Sequence, residues 1–141
     1  IAMASGLEET GVLHTIDVND ELEDFTRHYI EKSGFRERIV FHVGDACEII
    51  PCLDETFDLV FIDADKREYS EYYRLVFDKV RSGGIIIADD VLWDGKVADP
   101  QVKLDAQTKG ILDFNDMVQG DLRVENLLLP VRHGLMMIRK K

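Results

Sequence analysis

Apolar residues along the chain fall into short β-branched blocks that alternate with amphipathic stretches. Val12-Leu13-His14-Thr15-Ile16 predicts a strand ending at Asp17. Asn19-Asp20-Glu21 then supplies a cap and first-turn acids for a helix running to about Ser33, stopped by Gly34. Ile39 to Val43 reads as the next strand, followed by Gly44-Asp45 and a short helix over Ala46 to Leu53 that Pro51 weakens. Phe57 to Ile62 is a nearly continuous apolar strand ending at Asp63. Tyr69 to Val80 has helical period, Ser82-Gly83-Gly84 reads as a turn, and Ile85 to Ala88 as a buried strand ending at Asp89. Trp93 to Lys109 is polar and loop-like, Gly110 to Val118 helical, and Arg123 to Leu129 with Leu135 to Arg139 predict an antiparallel hairpin.

Strands this apolar belong in a parallel sheet covered by helices, and the β-α-β-α alternation agrees. The expected fold class is therefore α/β, in one domain over residues 1–141, without repeat or linker. The start is unusual. Ile1 to Leu7 is helix-like but has neither an initiator Met nor a capping residue ahead of it, the pattern of a helix whose beginning is missing.

Composition narrows the partners. With 17 Lys+Arg against 28 Asp+Glu in 141 residues, the net charge is −11, which would repel a nucleic-acid backbone. The only basic cluster, Arg139-Lys140-Lys141, reads as a solvated end. No apolar run reaches the ~20 residues of a membrane span, and no secretory signal opens the chain. Cys47 and Cys52 are too few for a disulfide framework, which suggests core or near-surface thiols in a reducing, cytoplasmic setting. His14, His28, His42 and His133 show no ligand spacing and read as structural.

Chemistry gathers at the strand ends. Asp17, Asp45, Asp63 and Asp89 each lie at or just past the C-terminal end of an expected strand, the edge where open α/β sheets bind ligands. Each could simply cap the following helix. Four in register point instead to a site, and they would repel one another unless something positive sat among them. Asp17 is placed to accept hydrogen bonds from a ribose diol. Asp63 with Asp89-Asp90 offers three hard oxygen ligands for magnesium or calcium, with manganese a further candidate. Lys66, three residues after Asp63, either reaches a metal-bound oxygen or is a surface ion-pair lysine. An Asp-x-Asp phosphatase is disfavoured because Lys66 follows Asp65 at once. A phospho-accepting signalling domain is disfavoured by the order of its acids and lysine.

Longer motifs carry a family resemblance. Phe57-Asp58-Leu59-Val60-Phe61-Ile62-Asp63-Ala64-Asp65-Lys66 with Tyr69 and Tyr72 or Tyr73, then Gly83-Gly84 through Ala88-Asp89-Asp90-Val91-Leu92-Trp93-Asp94-Gly95, Phe114-Asn115, Leu129-Pro130 and Gly134-Leu135, follow one another in order. Together they resemble the cation-dependent, S-adenosylmethionine-dependent O-methyltransferases, the caffeoyl-CoA group, similar to catechol O-methyltransferase. The resemblance runs from about Gly11 to Lys141.

That resemblance implies a Rossmann-like class I methyltransferase sheet, mostly parallel with a C-terminal antiparallel hairpin. It implies Lys66 as the base, and Asp63, Asp89 and Asp90 around a divalent cation. Asp17 would grip the ribose of S-adenosylmethionine, Asp45 and Ala46 would lie beside the adenine, and Asp63 would also face the cofactor. Asp65 and Trp93 would border the pocket of a hydroxylated aromatic acceptor, and the protein would be a homodimer. Two departures stand out. The family usually has Asn where this chain has Asp90, and the family's glycine-rich turn, the strand before it and the N-terminal helices have no counterpart here. That strand would lie mid-sheet, so the expectation is a longer native protein, with a catalytically inactive metal-binding or dimerising fragment as the alternative for the residues at hand.

Overall fold

In the computed structural model, which describes residues 1–141, the first two β-branched blocks pair. β1 (Leu13–Asp17) runs parallel to β2 (Ile39–Val43), with Leu13 opposite Ile39 and Asp17 opposite Val43. Between them, Asn19 accepts the Glu21 N–H and opens a 3₁₀ turn that leads into α1 (Glu23–Lys32). After β2, Asp45 caps α2 (Ala46–Cys52), whose Pro51 falls near the C-terminal end, where a lost N–H does little harm. These elements belong to one compact unit, Ile1–Leu53. Its buried apolar residues are only Ala4, Ile39 and Ile50, while Phe25 and Tyr29 of α1 stack on each other in the open.

The second unit, Asp54–Lys141, carries most of the core. β3 (Phe57–Ile62), α3 (Tyr69–Phe77) and β4 (Val80–Ala88) form a parallel β-α-β unit, and α4 (Ala106–Gly120) precedes the hairpin of β5 (Val124–Leu129) and β6 (Leu135–Lys140). The sheet order is β3-β4-β6-β5, with β6 antiparallel to both neighbours. β1 thus pairs with β2 alone, and β3 with β4 alone. The expected α/β class and terminal hairpin are both present. No helix is long and apolar enough to cross a membrane.

Several boundaries differ from the sequence reading. The Ile1 to Leu7 stretch has one short 3₁₀ turn, Ala4–Gly6. α3 ends at Phe77 because Val80 joins the sheet and Lys140 Nζ takes the Phe77 and Val80 carbonyls, each at 2.8 Å. Ser82-Gly83-Gly84 is not a turn between elements but part of β4, whose extra residues are absorbed by a register shift between Phe57 and Leu59. α4 starts well before Gly110, since Asp105 accepts the Thr108 N–H at 2.7 Å and caps it. At the basic end Arg139 and Lys141 are exposed, as expected, and Lys140 is half-buried. Arg139 pairs with Glu125, Lys140 caps α3, and Lys141 donates to the Leu122 carbonyl.

Tyr69, Tyr73 and Phe114 form the aromatic centre of this unit, with Phe114 edge-on to both tyrosines at 5.5 and 6.2 Å. α4 approaches the turn after β3 closely because of Gly110. A Cβ there would strike the Lys66 carbonyl oxygen and lie 2.8 Å from Arg67 Cα. Alanine in a helix ordinarily stabilises by about 1 kcal/mol relative to glycine. Here backbone would have to move, so Gly110→Ala is expected to destabilise by about 1–3 kcal/mol. Urea denaturation followed by circular dichroism gives the sign, and a stabilised variant would contradict this packing.

Candidate active site

Lys66 is the centre of the second unit's acidic cluster. It opens a 3₁₀ turn (Lys66–Glu68) that Asp65 caps by accepting the Arg67 N–H, and α4 packs across that turn at Gly110. The side chain is therefore turned inward, with 6% of the residue exposed. Its ammonium donates to Asp63 Oδ1 at 3.0 Å and to Tyr69 Oη at 2.6 Å, and lies 3.1 Å from Asp90 Oδ2. Those three partners use all three of its N–H groups. The surface ion-pair reading of Lys66 is excluded by this burial.

Tyr69 completes the arrangement, a part the sequence reading placed in a motif without a role. Its hydroxyl accepts from Lys66 and lies 3.0 Å from the Asp89 carbonyl and 3.3 Å from that of Ile62. One phenol thus ties the ends of β3 and β4 to the lysine. Burial pushes the Tyr69 hydroxyl up to about 12 against the opposing pull of Lys66, so it stays a neutral donor. Burial lowers the Lys66 value, but hydrogen bonds to Tyr69, Asp63 and Asp90 outweigh it and hold the ammonium above the ordinary lysine range. This lysine is a firm cation as it stands.

Asp63, Asp89 and Asp90 each offer a carboxylate oxygen, and these oxygens lie within 4.8 Å of one another. A cation with oxygen ligands at about 2.0–2.6 Å spans such separations, so the donor set fits a hard divalent ion. Asp90 reaches the cluster from a left-handed backbone, φ 60°, a conformation that aspartate and asparagine tolerate better than most residues. Asp90 N–H donates to Asp89 Oδ1 at 2.8 Å, and Asn115 Nδ2 holds the next carbonyl, that of Val91, at 2.9 Å. Nothing in the spacing of Asn115 marked it as a brace for this loop.

The other expected site residues are placed as follows. In the first unit Asp17 accepts the Asn19 N–H at 2.9 Å, and its carbonyl takes the Gly44 N–H, which sets it beside the turn after β2. Asp45 accepts the Cys47 N–H at 2.7 Å, and Ala46 is the first residue of α2. Turn formation and helix capping thus engage these two acids. Asp65 is bound to Arg67, whose guanidinium draws the carboxyl down to about 2. Trp93 is half-buried, with its indole N–H buried and unpartnered and Lys96 Nζ 5.4 Å from the ring centroid. The histidines are structural in part. His14 lies 3.1 Å from His42 across β1 and β2, and His133 pairs with Asp94.

Known proteins resemble this chain along its whole length. The sequence model of the O-methyltransferase family matches residues 1–141. The chain is 34% identical to caffeoyl-CoA O-methyltransferase 1 of Arabidopsis thaliana over 99% of its own length and 58% of that protein's. Its fold resembles the O-methyltransferase of Bacillus cereus in complex with SAH, with a TM-score of 0.90, 28% identity, and coverage of 99% of this chain and 67% of that one. It is equally similar, at TM-score 0.90 and 28% identity over 99% of this chain and 66% of that one, to the O-methyltransferase TomG of Streptomyces achromogenes in complex with SAM. The chain spans about six tenths of the length of the curated relatives it matches. Since the family match leaves no residue of the sequence outside it, this chain belongs to the O-methyltransferase family.

Proposed function

We propose that the protein moves a methyl group from S-adenosylmethionine to one hydroxyl of a vicinal dihydroxy aromatic small molecule, assisted by a divalent cation. The observation that carries this reading is the meeting of three carboxylate oxygens within 4.8 Å beside a buried lysine. Family membership supports the methyl donor, as do related structures described as complexes with SAM and SAH. In this reading the sequence, and both compact units with it, is part of one methyltransferase domain. The protein is a homodimer in a reducing, cytoplasmic setting, with which Cys47 and Cys52, neither of them in a disulfide, accord.

Asp63, Asp89 and Asp90 would hold the ion, and magnesium, calcium or manganese suits an all-oxygen set. A bound divalent cation supplies Lewis acidity, which favours the ionised form of a phenol whose pKa is otherwise about 10. The chain's own residues do the rest. Asp17 accepts hydrogen bonds from the ribose, Asp45 and Ala46 border the adenine, and Asp63 faces cofactor as well as ion. Trp93 and Asp65 wall the acceptor. With Asp63 and Asp90 engaged by a cation, Lys66 would lose two of the hydrogen bonds that raise its pKa and keep the one to Tyr69, while burial, which lowers it, remains. The free amine then takes the phenol proton. An O–C bond forms as the C–S bond breaks, and the sulfonium leaves as a neutral thioether. Holding oxygen, carbon and sulfur in line lowers the barrier by positioning.

Three kinds of outcome are expected, in turnover, in cation dependence and in stability against pH. Lys66→Ala should retain cofactor binding by calorimetry while turnover falls by about 10²–10⁴-fold; loss of binding with unchanged turnover per occupied site would refute the assignment. EDTA should abolish transfer and added magnesium or manganese restore it. In Asp89→Ala the cation concentration required should rise by more than about tenfold, the loss that even an outer-shell partner produces. The third concerns pH in metal-free protein. Folded-state pKa values of Lys66 and Tyr69 lie above their unfolded values, so their contribution to stability is complete below pH about 10 and declines as pH rises through the folded values. Urea midpoints between about pH 9 and 11 should fall more gently in Tyr69→Phe than in the parent.

A further inference from the structure

Four non-glycine residues in this chain have a left-handed backbone: Asp90 at φ 60°, Trp93 at 45°, Asp94 at 56° and Arg132 at 53°. All four lie in two loops of the second unit, the one after β4 and the turn joining β5 to β6. L-residues adopt this conformation reluctantly because Cβ crowds the following carbonyl, and it persists where the surroundings enforce it. The surroundings here are the two loops themselves. Val91 N–H donates to the Gly134 carbonyl at 3.1 Å and Leu92 N–H to that of His133 at 2.7 Å. Gly134 permits the approach, since a Cβ on it would lie 3.0 Å from Leu92 N and 2.6 Å from Leu92 Cγ.

The two ends of the 90–95 loop are held differently. At the Asp90 end the anchors are the Val91 N–H to Gly134 bond, the Asn115 bond to the Val91 carbonyl, and the Asp90 N–H to Asp89 bond. None uses the His133 side chain. At the far end, Trp93 N–H and Gly95 N–H bond back to Asp90 and Leu92 within the loop. The side-chain link from that end to the hairpin is the 2.7 Å contact between His133 Nδ1 and Asp94 Oδ1. We infer that His133, through Asp94, is a positioning residue that sets Trp93 against the methyl acceptor and so tunes acceptor affinity without touching the cation ligands. This rests on the reading of Trp93 as a wall of the acceptor pocket.

Trp93 is the single tryptophan of the sequence, so its fluorescence reports the loop independently of activity. The test compares His133→Ala, Asp94→Ala and the double variant, with Arg139→Ala as a control that cuts an ion pair on the same hairpin outside the clamp. Acrylamide quenching of Trp93, KM for a catechol, kcat, and manganese affinity by calorimetry are read for each. Expected are stronger quenching and a KM raised by up to about fivefold, the range set by losing one exposed pair. Manganese affinity should stay within about twofold, and the double variant should be no worse than either single one. Exchanging the two residues, Asp94→His with His133→Asp, should recover most of the KM, since histidine also tolerates the left-handed position. Unchanged quenching would overturn the inference, as would manganese affinity weakening in step with KM. If the unaltered protein methylates no vicinal diol, the functional reading fails, and quenching alone still decides whether His133 holds Trp93.

Discussion

Everything at this site depends on where positive charge can be placed among acids that the strand ends force together. Parallel strands deliver the residues that follow them to one edge, and β3 and β4 deliver Asp63, Asp89 and Asp90. Carboxylates so close cannot stay ionised without compensation. Within the chain the compensation is Lys66, whose ammonium reaches two of the three acids and a phenol. Its burial would be unfavourable alone, but every N–H has an acceptor. Charge and fold are therefore coupled, because the lysine points inward only while the turn at Lys66–Glu68 is pinned from behind.

That pinning explains features that look unrelated. Gly110 lets α4 press on the turn carrying Lys66, and Phe114, one helical turn further on, packs against Tyr69 and Tyr73. Tyr69 in turn fastens the lysine to the ends of both strands. The helix, the aromatic cluster and the acids form one mechanical unit, in which the apolar core sets the position of a polar site. The loop after β4 adds the opposite element, a run of left-handed residues held in place by a neighbouring turn rather than by its own preference.

Strands ending in aspartate were legible because a nearly continuous apolar run with a terminal acid is a local signal, and β2 and β3 have the boundaries read from the residues, although Val40, Leu59 and Phe61 are exposed. The three metal-ligand candidates and Lys66 were legible for the same reason, reinforced by long ordered motifs. What was not legible depends on distant partners. Lys140 ends α3 from more than sixty positions along the chain, so no window around Phe77 could show it. Ser82-Gly83-Gly84 has turn composition, yet pairing with β3 keeps it in the sheet. Asp105 as a cap was hidden by the polar stretch around it, and the His133–Asp94 contact joins two loops whose proximity only the fold creates. The helical period of α1 was visible, but its outward Phe25 and Tyr29 were not, because periodicity marks a face without saying that anything covers it.

The aspartate at position 90 changes the charge balance in a way that bears on chemistry. Three ionised carboxylates against one ammonium leave a formal excess of two negative charges, which one divalent cation would neutralise. With the asparagine that the family usually carries, the same set would be left one charge positive, a surplus suited to an anionic phenolate. Under the proposed function the ion would therefore be held more firmly, while an incoming phenolate would meet a neutral site instead of a positive one. The burden of accepting the proton would then shift toward Lys66, whose basicity would depend on how far Asp63 and Asp90 release it. One carboxylate oxygen in place of an amide nitrogen would thus exchange some electrostatic stabilisation of a substrate anion for a tighter ion, and would make the lysine the more decisive partner of the two.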